Sequence, residues 1–329
     1  MAASTPGMTE GRLAATSGPR ATDGFARFAW AVLAYSVAVI LFGAVVRITG
    51  SGAGCGQHWP TCQGEVLHLP KTAATAIELT HRITSGLSVV LVGGLAWGAF
   101  HRFPKSHPAR RSALLSVVFV LTESLVGAAL VLLELVGKNT SVARAVVMAG
   151  HLVNTSFLCA ALALTAWTAS HPLPRRWLPS CGLDWSLVGG LVATICVSIT
   201  GAVTALGDTL YPVDTARALR ERLATDHGVG ASFFERGRAI HPLVAFLVAI
   251  FLVILAQRTR SIRPRPNVER AASVATVLVF VQVGAGVTNI WLSAPAYTQV
   301  LHLAVATALW LSLVVLYATA MSEKRSLTT

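Results

Sequence analysis

Four histidines in apolar surroundings are the residues best placed to do chemistry in this chain: His81, His151, His241 and His302. His81 belongs to the run Glu78-Leu79-Thr80-His81-Arg82, and the other three lie in apolar segments. They recur: His241 follows His81 by 160 positions and His302 follows His151 by 151. Hydrocarbon penalises an ionisable side chain, so one found there marks a functional site by default. A histidine from each of two helices can clamp a porphyrin iron from opposite faces. The natural pairs are His81 with His151 and His241 with His302. Zinc is the rival, but one zinc would need all four imidazoles to converge at about 2 Å, whereas a twofold repeat spreads them into pairs. No Cys-x-x-Cys-His occurs, so a haem would be held without thioether bonds. Any single histidine could be a satisfied core residue; the recurrence of all four favours ligation.

The elements that must position them are apolar and long. Of 329 residues, 54% are hydrophobic and 12% charged. Eight segments, about 28–46, 77–100, 112–133, 142–168, 185–206, 239–256, 271–292 and 296–320, match the roughly 17–25 residues a spanning helix needs. Period-2 alternation is absent, so helices are the spanning element. The fold class is an all-α integral membrane protein, with eight transmembrane helices arranged as two pseudo-symmetric four-helix bundles. Further echoes support the repeat: Ile48-Thr49-Gly50 with Ile199-Thr200-Gly201, and Glu123 to Gly127 with Gln282 to Gly286. Four helices per half make it a parallel repeat about an axis near the membrane normal.

A net charge of +12 would suggest nucleic acid as partner of a soluble protein. Here the charge follows the positive-inside rule. With the N-terminus inside, the inner side holds 16 of the 26 cations and five of the 14 acids, and the loops 101–111 and 257–270 are clearly basic. Both termini are therefore predicted to be cytoplasmic, with the lipid bilayer as partner and no role for nucleic acid. The expected division is a disordered tail over 1–26, a first half over 27–170, a linker over 171–184, a second half over 185–320 and a tail over 321–329. The first apolar run is too long for a signal peptide. Helices 2, 4, 6 and 8 then start on the outer face, within roughly 15 Å of all four histidines at 1.5 Å per residue. Arg47, Arg82, Arg144 and Arg238 lie at outer helix ends. Arg82 and Arg238 are the better candidates for haem propionates, given the planar fork of arginine; the alternative is snorkelling to the interface.

Glu78 sits one helical turn before His81, and Arg238 takes its place before His241. Only the first site therefore has a carboxylate beside an iron ligand, able to take protons or stabilise a developing cation. The alternative is an acid favoured at a helix N-terminus. Glu123, mid-segment and aligned with Gln282, is either a protonated group bonded within the bundle or a proton relay. Cys55 and Cys62 share the first outer loop, where a disulfide is permitted; its role is structural or redox-active. Cys159 and Cys196 read as packing residues, and Cys181 lies in an inner loop.

The stretches Gly43-Ala-Val-Val-Arg-Ile-Thr-Gly-Ser-Gly-Ala-Gly-Cys-Gly56, His58-Trp-Pro-Thr-Cys62 and Glu78-Leu-Thr-His-Arg82 resemble the haem A synthase family, over roughly 28–320. The resemblance implies a non-covalent b-type haem between His241 and His302. It places the substrate, haem O, near His81 and His151, with Glu78 as the catalytic carboxylate. The implied reaction oxidises one porphyrin methyl to a formyl group by successive hydroxylations, supplying haem A to cytochrome oxidase. It implies a bacterial plasma-membrane location, a haem O synthase as partner and an electron donor; homo-oligomerisation is left open. Some family members have a second cysteine pair between helices 5 and 6, which is missing here. The region 207–238 is instead expected to form a short amphipathic cap. The alternative function is a two-haem b-type electron carrier linked to quinone. A transporter is a third option, although no broken helix pair stands out.

Overall fold

Uncharged runs of this length satisfy their backbone as helices, and among the described residues eight form: α1 (Arg20–Ile48), α2 (Ala73–Arg102), α3 (Pro108–Leu132), α4 (Val142–Ser170), α5 (Gly182–Leu210), α6 (Phe233–Ile262), α7 (Pro266–Trp291) and α8 (Ala296–Met321). All eight are long and apolar enough to cross a membrane. The computed structural model describes residues 20–66, 68–171, 178–212 and 232–322. Among these no strand occurs. The expected cap within 207–238 and the expected C-terminal tail fall mostly outside the described residues.

Polar residues extend the helices past their apolar runs. The Thr72 hydroxyl accepts the Thr75 amide at 3.1 Å, and the Ser141 hydroxyl accepts that of Arg144 at 3.3 Å. Proline opens α3 and α7, where its missing N–H costs no hydrogen bond. At the other extreme, α1 begins at Arg20, inside the stretch expected to be a tail. The reason is packing: Phe25 and Ala26 are buried, and the Phe25 ring meets Phe103 edge-on at 5.1 Å.

Each half closes the same ring of neighbours. In the first, α1 packs on α2 and α4, and α3 on α2 and α4; in the second, α5 packs on α6, α6 on α7, α7 on α8, and α5 on α8. The halves meet through α1, α4, α5 and α8. Small residues let these helices approach closely, among them Ala29, Ala99, Ala113, Ala166 and Ala272, all fully buried. Large apolar side chains such as Val90, Leu125, Phe246 and Phe280 point outward instead, the distribution expected when the solvent is lipid.

Two polar contacts fasten the halves together. Arg47 of α1 donates to Ala205 O at 2.5 Å and Thr209 Oγ1 at 2.6 Å on α5, and to Gln299 Oε1 at 3.0 Å on α8. Trp310 Nε1 of α8 donates to Ser156 O of α4 at 2.7 Å. At the end of the second half away from the histidines, buried Asp184 pairs with Arg263 at 2.5 Å.

Candidate functional site

All four histidines sit at one level. They lie six to nine residues past the first residues of their helices, Ala73, Val142, Phe233 and Ala296. At 1.5 Å per residue this is about 9–14 Å along the axis.

In the second half the rings of His241 and His302 meet edge to face, with centroids 6.5 Å apart and planes at 88°. Thr200 fixes the first of them. Its hydroxyl donates to Val197 O at 2.8 Å and lies 2.9 Å from His241 Nδ1. With its one proton committed, the hydroxyl accepts from Nδ1–H, which leaves the Nε2 lone pair available to a metal. The Gln282 amide nitrogen stands 3.2 Å from His302 Nε2. Glycines make room for both rings: a Cβ would meet His241 Cε1 at 3.0 Å from Gly201 and His302 Cε1 at 3.2 Å from Gly286.

The first half repeats the plan with different chemistry. A Cβ on Gly43 would lie 3.1 Å from His81 Cε1. Gly201 follows Gly43 by 158 positions, close to the histidine offset, so the earlier alignment of Gly50 with Gly201 is corrected. Gly50 has no neighbour there and occupies the left-handed turn after α1, at φ 67°. Applying the same offset, Phe42 stands where the second half has Thr200. Its ring lies edge-on to His81 at 5.9 Å, and His81 Nδ1 is buried with no hydrogen-bond partner. His151 Nδ1 lies 3.3 Å from Glu123 Oε1, without the alignment of a hydrogen bond.

Glu78 is 3% exposed. Its Oε2 accepts the Cys55 amide at 2.8 Å, and its Oε1 pairs with Arg82, whose Nε donates at 3.1 Å. Arg82 Nη1 also holds His58 O at 2.5 Å and Thr61 O at 2.6 Å. The carboxylate is thus fastened to the loop that Cys55 and Cys62 close with a disulfide. Both cysteines are buried, and Thr75 Oγ1 donates to Gly54 O at 2.9 Å beneath them. On the chain-entropy relation so short a loop stabilises the fold by ~2.5 kcal/mol. In membranes from aerobically grown cells, both thiols are expected to resist alkylation until reductant is added, with exposed Cys181 labelled throughout. Free thiols at 55 and 62 without reductant would contradict this. Cys159 is buried as a packing residue should be, but Cys196 faces outward.

The four arginines are gripped by the protein as well. Arg144 donates to Gly137 O at 2.7 Å and Asn139 O at 2.8 Å, and Arg238 pairs with Asp208 at 2.9 Å and donates to Gly207 O at 2.8 Å. Sequence reasoning missed Gly43, Phe42, Thr200 and Asp208. Letting the glycine offset differ by two positions from that of His81 and His241, 158 against 160, aligns Gly43 with Gly201 and so Phe42 with Thr200.

These residues suit a porphyrin iron. Imidazole nitrogens about 2 Å from a shared metal put ring centres roughly 6.3 Å apart, near the 6.5 Å observed. His81, His151 and His302 each keep a buried Nδ1 without a hydrogen bond. The glycines leave space beside three of the four rings. Among the described residues no three of His, Cys, Asp or Glu gather as a metal site.

Residues 26–314 match the family model described as cytochrome oxidase assembly protein, COX15-CtaA. The chain is 47% identical over 298 residues, 91% of its length, to a Protoheme IX farnesyltransferase of Thermus thermophilus. It covers 48% of that protein, so the chain spans about half the length of such relatives. Over 93 residues, 28% of this chain and 30% of the relative, it is 42% identical to a Heme A synthase of Bacillus mycoides.

Proposed function

Since this chain belongs to the COX15-CtaA cytochrome oxidase assembly protein family, we propose that it is a multi-pass bacterial plasma-membrane enzyme converting haem O into haem A. Both termini are placed in the cytoplasm, and the histidines at the outer end of the bundle. The reaction replaces a porphyrin methyl by a formyl group: two hydroxylations, each a two-electron oxidation by an external oxidant, give a geminal diol, which loses water. The second-half residues would hold a resident b-type haem, which supplies one-electron redox chemistry when bound. The substrate haem O would lie in the first half.

One observation carries this division: His81 of α2 and His241 of α6 are alike in placement but unlike in anchoring. Thr200 locks His241 in one tautomer, as a permanent ligand needs. Phe42 leaves His81 unanchored, which suits a ligand that releases product at every turnover. Glu78, a turn from His81, supplies a carboxylate on the substrate side, held in place by Arg82 and the Cys55 amide. It takes up the proton released at the oxidised carbon, or stabilises the cation forming there. Arg82 and Arg238 already hold their own partners, and would meet propionates with their remaining edges.

Haem O is a farnesylated protohaem, so the enzyme that supplies it must be a prenyl transferase acting on protohaem. The longer Thermus thermophilus relatives bear the name of that activity, which supports haem O synthase as partner. Nothing in the family or in these relatives favours the electron-carrier alternative. In a strain that makes haem O but lacks its methyl-oxidising enzyme, this chain should restore a haem A-containing oxidase. An oxidase that stays without haem A would contradict the reading.

A further inference from the structure

The two halves differ at a further place besides Phe42 and Thr200, and Glu78 and Arg238. Glu123 of α3 lies 3.3 Å from His151 Nδ1, whereas Gln282 of α7 sets its amide nitrogen 3.2 Å from the other ring nitrogen, Nε2, of His302. Glu123 is fixed on both oxygens: Oε1 accepts the Thr155 hydroxyl, and Oε2 accepts Asn154 Nδ2 at 2.5 Å. Asn154 is held in turn by Phe119 O at 2.9 Å and by the Thr122 hydroxyl at 2.7 Å. The carboxyl group is therefore positioned without the histidine, yet its Oε1 lies 3.3 Å from His151 Nδ1. That nitrogen is buried and lacks a hydrogen bond, which internal satisfaction of the glutamate alone does not explain.

We propose that Glu123 is a positioning residue that strengthens His151 as a donor to the first-half iron, making the two iron sites chemically unequal. The proposal rests on His151 being a ligand of that iron. A ligating imidazole whose other nitrogen faces a carboxylate is oriented by it and becomes a stronger electron donor. A stronger donor favours the ferric over the ferrous state. His302 Nδ1 is buried without a hydrogen bond, so no such charge strengthens it, and the second-half haem would be the easier of the two to reduce.

The test uses the full chain, purified with its resident haem and loaded with haem O. The reduction of each haem is followed optically and assigned by its loss in His151→Ala and in His302→Ala. Glu123→Gln should make the first-half haem at least tenfold easier to reduce, equivalent to 59 mV for one electron, while the second-half step stays in place. Glu123→Asp, which keeps the charge but draws it back from His151 Nδ1, should move the first-half step in the same direction by less. If Glu123→Gln no longer holds haem O, the Glu123→Asp shift decides alone. Retained haems with unmoved steps in both variants would overturn the proposal. If His151→Ala leaves the first-half spectrum unchanged, the ligand assignment fails instead.

Discussion

Glu78→Gln should abolish haem A formation while leaving the protein folded and its second-half haem in place. The substitution keeps the shape of the side chain, and its amide oxygen can still accept the Cys55 N–H now bonded at 2.8 Å. The disulfide loop therefore keeps its anchor. What is removed is the charge facing Arg82 and the capacity to take a proton. Groups in that role contribute about 10²–10⁴-fold, so haem O or its hydroxylated form should accumulate. Arg238→Gln is the matched control, because Arg238 precedes His241 as Glu78 precedes His81. It breaks the pair with Asp208 and should weaken haem retention in the second half rather than the oxidation chemistry. Haem A formed at the wild-type rate by Glu78→Gln would remove Glu78 from the mechanism.

His241→Ala should remove the low-spin bis-histidine spectrum of the resident haem, and His302→Ala should do the same. The two rings meet edge to face across 6.5 Å, and neither helix offers a substitute ligand at that level. Loss of either ring leaves a buried iron face without a donor. His81→Ala and His151→Ala should spare this spectrum and impair loading with haem O. A resident-haem spectrum unchanged in both second-half variants would refute the assignment.

The eight helices and the four histidines were legible because both follow from local pattern: uncharged runs of spanning length, and a rare residue type inside them. Helix ends were less legible. The apolar run under α6 begins near residue 239, yet the helix starts at Phe233. His241 is thus a turn and a half deeper than its surroundings suggest, level with the other three. The glycine register was misread because Ile-Thr-Gly strings are locally alike, whereas what counts is which glycine meets an imidazole on a neighbouring helix. Such contacts depend on helix rotation, which weakly amphipathic spans do not reveal. The same holds for Thr200 and Phe42. Glu78 was singled out by its place before His81, but its tie to the Cys55 amide could be seen only once the loop had folded back onto α2.

The central claim is that this chain oxidises a methyl group of haem O. Its most direct test is the mass of the non-covalent pigment extracted from membranes of a host that makes haem O and has no enzyme to oxidise it, compared with and without the chain. The expected result is a new pigment that has gained one oxygen and lost two hydrogens relative to haem O, and that is absent with Glu78→Gln. Haem O recovered unchanged, from membranes that contain the folded chain with its resident haem, would contradict the claim.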